Sequence, residues 1–64
     1  MSDLAKRISL IRKKKGWSCS EVDRRAGLSI GHTARIEAGG SNVTGVTLTK
    51  LADALGVTVS VLVK

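Results

Sequence analysis

One cysteine in 64 residues leaves no partner for an internal disulfide, and one cysteine with one histidine cannot supply the three or four protein ligands of a zinc site. Metal binding is therefore not expected, and the reading implies no cofactor. Phenylalanine and tyrosine are absent and tryptophan occurs once, so the 42% hydrophobic fraction must build an aliphatic core from Leu, Ile, Val and Ala. A lone aromatic also falls short of the several stacking platforms that single-strand-binding surfaces use. No apolar run reaches the roughly 18 residues of a membrane span, and no charged-then-apolar leader opens the chain. A cytoplasmic location without membrane contact is the expectation. The chain has no carboxylate pair set beside a nucleophile, no Cys and His spacing that suggests adjacency and no phosphate-cradling loop, so no enzyme is expected.

Acidic residues are also scarce. Five Asp and Glu stand against eleven Lys and Arg, a net charge of +6, and eight of the eleven cations lie at or before Arg25. Such a field favours a polyanionic partner. The length fits one domain, residues 1–64, near the lower size limit for folding without staples, where a chain buries only about 60% of its unfolded surface.

The organising stretch is 18–39, SCSEVDRRAGLSIGHTARIEAG. Ser18 and Glu21 fit a capping box, in which Ser18 accepts from the backbone N–H of residue 21 while Glu21 returns to the N–H of residue 18. Gly27 supplies the left-handed stop, Leu28 an apolar anchor and Ser29 a new N-cap, so a second helix is expected from about Ile30 to Glu37. Two short helices joined so tightly must cross steeply, in the manner of a helix-turn-helix.

Around that stretch, Leu4, Ile8 and Ile11 mark a first helix capped by Ser2 or Asp3 and ended by Arg12, Lys13, Lys14, Lys15 and Gly16. Leu10 falls off its apolar stripe. Trp17 sits where a hydrophobic staple would pack it on Val22, and is read as core. Val22 and Ala26 face inward while Arg24 and Arg25 point away. Asp23, beside Val22 at the core edge, needs a partner, either Arg24 or a base of the first helix.

In the next helix Ile36 and Thr33 share the inner face. Ile30, Gly31, His32 and Arg35 form the outer one, where arginine can grip guanine O6 and N7, histidine can donate to a base or phosphate, and isoleucine can meet a thymine methyl. The loop that follows, with Ser41, Asn42 and Thr44, has the small polar groups that lie along a phosphate backbone. Thr44 or Thr47 then caps a helix carrying Leu48, Leu51, Ala52 and Leu55, which Gly56 ends. The tail VTVSVLVK divides its signal between strand and helix, and a short helix or turn over 59–62 is expected.

The ordered set L-x3-I-x2-IR-x3-GWS-x2-EV, AGLS, RIEAG and L-x2-LADALGV, spanning about residues 4–62, resembles the phage Cro and repressor type of helix-turn-helix domain, also called the xenobiotic-response-element type. The resemblance implies an all-α, lambda-repressor-like bundle of four to five short helices. It implies a buried ion pair between Arg12 and Glu37, a major-groove role for Ser29, Ile30, Gly31, His32 and Arg35, a phosphate-proximal Cys19, and a backbone-contacting loop at Gly40, Ser41 and Asn42. The chain departs from the family pattern at Cys19, Ile30 and Gly31, often amide or hydroxyl readers, at Asp23 and Thr33, usually Ala and an aliphatic, and at Val43, often Pro.

The expected function is a sequence-specific, double-stranded DNA-binding transcriptional regulator acting as a homodimer. The alternative is a protein-interaction module, such as the antitoxin of a toxin and antitoxin pair.

Overall fold

Residues 3–39 and 43–63 are described by the computed structural model, and they form five α-helices with no strand among them. In chain order these are α1 (Asp3–Lys14), α2 (Cys19–Ala26), α3 (His32–Glu37), α4 (Gly45–Leu55) and α5 (Val59–Val63). The expected cap at Ser2 lies outside the described residues, and Asp3 is already helical, an acid in the first turn of α1. Ala5 and Ile8 are buried on the inner stripe of α1 with Leu4 and Ile11 half-buried beside them, whereas Leu10 is 59% exposed.

Both turns around α2 are built by its own sequence. Ser18 Oγ accepts from the Glu21 N–H at 3.1 Å, the first half of the capping box. The second half gives way to a charge contact, since the Glu21 carboxylate accepts instead from the guanidinium groups of Arg24 and Arg25. At the other end Gly27 adopts φ 70°, and Leu28 N–H reaches back to the Asp23 carbonyl at 2.8 Å, the bond that a left-handed residue past a helix end makes possible.

The entry to α3 differs from the sequence expectation. Ser29 does not cap it: the helix starts two residues beyond the expected Ile30, at His32, with Gly31 as N-cap at φ 93°. Thr44, not Thr47, caps α4, its hydroxyl accepting from the Thr47 N–H at 3.2 Å. The divided signal of the tail resolves as the short helix α5, because Leu62 must enter the core between α1 and α4, and burial outweighs the β preference of the flanking valines.

Every helix contributes to the core, which gathers Ile8, Val22, Ala26, Ile36, Leu51, Ala52, Leu55 and Leu62. Trp17, read as core, is half-buried and packs on the rim of that cluster. Since α5 meets the core chiefly through Leu62, fully buried at 0% exposure, Leu62→Ala should cost about 2–5 kcal/mol. That is a large part of the total stability of so small a domain. Urea denaturation should show the midpoint falling sharply, and an unchanged midpoint would mean that α5 is not packed as described.

Candidate nucleic-acid interface

A helix of six residues is too short to persist in water unaided, so α3 has to be held by its neighbours. Its back is held by burial, with Thr33 and Ile36 both inside the protein. Its first turn is held by a carboxylate from α2 and its last residue by a guanidinium from α1.

At the N-terminus the carboxylate is that of Asp23, which reaches across from α2. Oδ2 accepts from the Gly31 N–H at 2.9 Å. Oδ1 accepts from the Thr33 N–H at 2.8 Å and from the Thr33 hydroxyl at 2.6 Å. Asp23 is wholly buried, and these three bonds offset the desolvation of its charge. The partners expected for it, Arg24 or a base of α1, are therefore wrong. Arg24 pairs with Glu21, and what Asp23 holds is the backbone that begins α3.

At the C-terminus Glu37 receives a two-bond grip from Arg12. Nε donates to Oε2 at 2.7 Å and Nη2 to Oε1 at 3.0 Å, while Nη1 donates to the Trp17 carbonyl at 2.8 Å. One guanidinium thus ties the end of α1, the turn after it and the end of α3. Burial pushes the Glu37 pKa upward, but the hydrogen bonds and positive charge of Arg12, joined by smaller hydrogen-bond effects of Cys19 and Ser9, outweigh it, so the carboxyl is held below its ordinary range. The hydrogen bond it donates to Glu37 is the largest influence on Arg12 and strengthens its hold on its proton.

Cys19, the first residue of α2, turns its thiol inward and donates to Glu37 Oε2 at 3.6 Å. A helix start can lower a thiol pKa. Here burial first, and the Glu37 charge second, raise it instead, against the pull of Arg12.

The outer side of α3 is left to solvent. Ser29 and Arg35 are exposed, Ile30 is 74% exposed, and Gly31 and His32 are half-buried at the start of the helix. Ala34 and Ala38, which the sequence reading did not single out, add two small exposed positions between and beyond the larger ones. Ser41 and Asn42 lie outside the described residues. The cations nearest α2 are partly engaged. Arg25 lies 4.1 Å and Lys15 5.1 Å from the centre of the Trp17 ring, and Arg24 and Arg25 share Glu21.

Among the described residues no helix is long and apolar enough to cross a membrane. The sequence profile of the helix-turn-helix family matches residues 8–62, and the chain belongs to that family, the Cro and repressor type of DNA-binding regulators. Two solved structures are similar to it. A hypothetical transcription factor from Neisseria aligns with a TM-score of 0.92 and 34% identity over 95% of this chain and 70% of its own. The restriction-modification controller protein C.AhdI from Aeromonas hydrophila aligns with a TM-score of 0.89 and 30% identity over 94% of this chain and 91% of its own. No curated protein matches the sequence.

Two outcomes follow from the carboxylate and the thiol. Because the folded Glu37 pKa is lowered, its stabilising contribution is complete above the unfolded value, about 4.3, and is lost as pH falls through the lower folded value. Urea midpoints measured from neutral to acid pH should fall less steeply in Glu37→Gln than in the wild type, with Glu21, also lowered by Arg24, supplying part of the remaining slope. Equal slopes would contradict the pairing. Since only the thiolate attacks disulfide reagents, folded Cys19 should react several-fold more slowly than the urea-unfolded chain near neutral pH, and Glu37→Gln should speed it up. Equal rates in the folded and unfolded chains would contradict the inward thiol.

Proposed function

We propose that the protein is a sequence-specific, double-stranded DNA-binding transcriptional regulator that lays α3 in the major groove. The observation that carries the reading is a short helix pinned at both ends and along its back, with Ile30, His32 and Arg35 at its outer side. Arg35 offers two parallel donors to guanine O6 and N7, His32 a donor to a base edge or phosphate, and Ile30 an apolar surface to a thymine methyl. The small side chains of Ala34 and Ala38 let the helix approach closely. Ser29 and Gly31 complete the groove-facing set, while the α2 start at Cys19, with Ser41 and Asn42, takes phosphate-backbone roles. For Cys19 the contact is made by the main chain, because its thiol is committed to Glu37.

The regulator works by occupancy, with no cofactor and no catalysis. A net charge of +6 supplies the sequence-independent attraction. The similarity to a transcription factor and to a controller protein supports regulation as the role. It acts as a homodimer reading two half-sites about 34 Å apart or a multiple of that. Val46, Val61 and Val63, exposed at 68%, 44% and 55%, provide apolar surface on α4 and α5 for the pairing.

Selection of bound duplexes from a random pool should enrich a palindrome. With about six phosphate contacts, affinity should fall roughly a thousandfold between 50 and 200 mM salt. Arg35→Ala should cost about 1–3 kcal/mol on the selected duplex and relax the preference at one base pair of each half-site. Absence of salt-sensitive binding to any duplex would overturn the reading.

A further inference from the structure

We propose that Asp23 and Thr33 are specificity-determining positioning residues, a cap supplied across the helix-turn-helix that sets where α3 begins and so which base edges His32 and Arg35 meet. The proposal rests on the DNA-binding reading above.

A helix start leaves its first N–H groups without internal partners, and they are ordinarily met by a side chain just before the helix. In α3 that position is Gly31, which makes no side-chain cap bond. Asp23 fills the gap from another helix. Its two oxygens hold the N–H groups of Gly31 and Thr33, the residues on either side of His32, so the backbone that carries the imidazole is fixed both before and after it. The hold extends to the arginine. Gly31 donates its N–H to Asp23 while its carbonyl accepts from the Arg35 N–H at 3.1 Å, so both readers stand within one bond of a clamped residue.

Stability alone does not call for such a cluster. A buried polar group has to offset its own desolvation, and an apolar pair of similar volume commonly packs as well or better. Three hydrogen bonds of 2.6, 2.8 and 2.9 Å do something that apolar packing does less well, which is to fix one geometry. Asp23 and Thr33 are also the two buried polar residues of the described core, and the structure shows each as the other's partner. They are one device.

The test pairs amide hydrogen exchange with duplex binding in wild type, Thr33→Ser, Thr33→Val and the double variant D23A/T33V, with urea unfolding as the check on folding. In wild type the Gly31 and Thr33 amides should exchange slowly, and in the double variant more than about tenfold faster, since the acceptor is gone. The readout that a merely structural role would not move is the ratio of affinity for the selected duplex to affinity for random duplex. Using the ratio cancels the extra positive charge that loss of Asp23 brings. It should fall about tenfold in the double variant, the order of one misplaced arginine-to-guanine contact. Thr33→Ser, which keeps the hydroxyl, should hold the wild-type ratio. Thr33→Val, which removes one bond at constant charge and nearly constant shape, should lower it about fivefold, and this variant decides the matter if the double variant does not fold.

A folded Thr33→Val or double variant with the wild-type ratio overturns the proposal. So do wild-type Gly31 and Thr33 amides that exchange at unfolded-chain rates. A wild-type protein that selects no duplex sinks the DNA-binding reading, a distinct failure from an unchanged ratio.

Discussion

A helix of six residues does not persist alone in water, and the buried polar chemistry of this protein follows from that constraint. Asp23 holds the front of α3, and Arg12 with Glu37 holds its end. Ile36 and Thr33 hold its back. The fixings come from different parts of the chain, since Arg12 belongs to α1 and Asp23 to α2, so the short helix is ordered only when the whole bundle is. Folding and presentation of the outer residues are thereby one event, and a variant that loosens the bundle loosens α3 with it.

The same economy governs charge. Eight cations precede or include Arg25, but they are not equally available to a polyanion. Arg12 is spent on Glu37 and the Trp17 carbonyl, Arg24 and Arg25 share Glu21, and Lys15 and Arg25 lie over the Trp17 ring. Exposed Lys6, Lys13, Lys14 and Arg35 carry the field more freely. Net charge read from composition therefore indicates the sign of the partner better than it counts the contacts.

Much of the fold was legible because its signals are local. The Ser18 cap, the Gly27 stop and the apolar spacing of α1 and α4 each depend on residues within a turn or two, and each forms in the structure. What sequence reading missed is long-range. Asp23 looked like a charge needing a base because its real partners, backbone N–H groups eight and ten residues on, have no signature in side-chain identity. The same blindness moved the start of α3, since Ser29 is a good local cap in isolation and loses to a carboxylate arriving from α2. The one available clue was an acid sitting among the inward residues Val22 and Ala26, paired with a threonine on the inward face of the next helix. Residue type marks Trp17 for its apolar body, whereas the stacking of Arg25 and Lys15 on its ring is a product of the folded turn. For the outer residues the chemistry is readable from residue type and the outward side from their spacing against Thr33 and Ile36, whereas the half-burial of Gly31 and His32 comes only from the fold.

In the proposed complex the pinned helix meets duplex DNA with its outer side. Backbone amide shifts mapped during titration with a duplex test it most directly. The largest changes should fall on 29–35 and on the start of α2 at Cys19, with the core amides of Leu51 and Leu55 little moved. Changes confined to α4 and α5, with α3 unaffected at saturation, would contradict it.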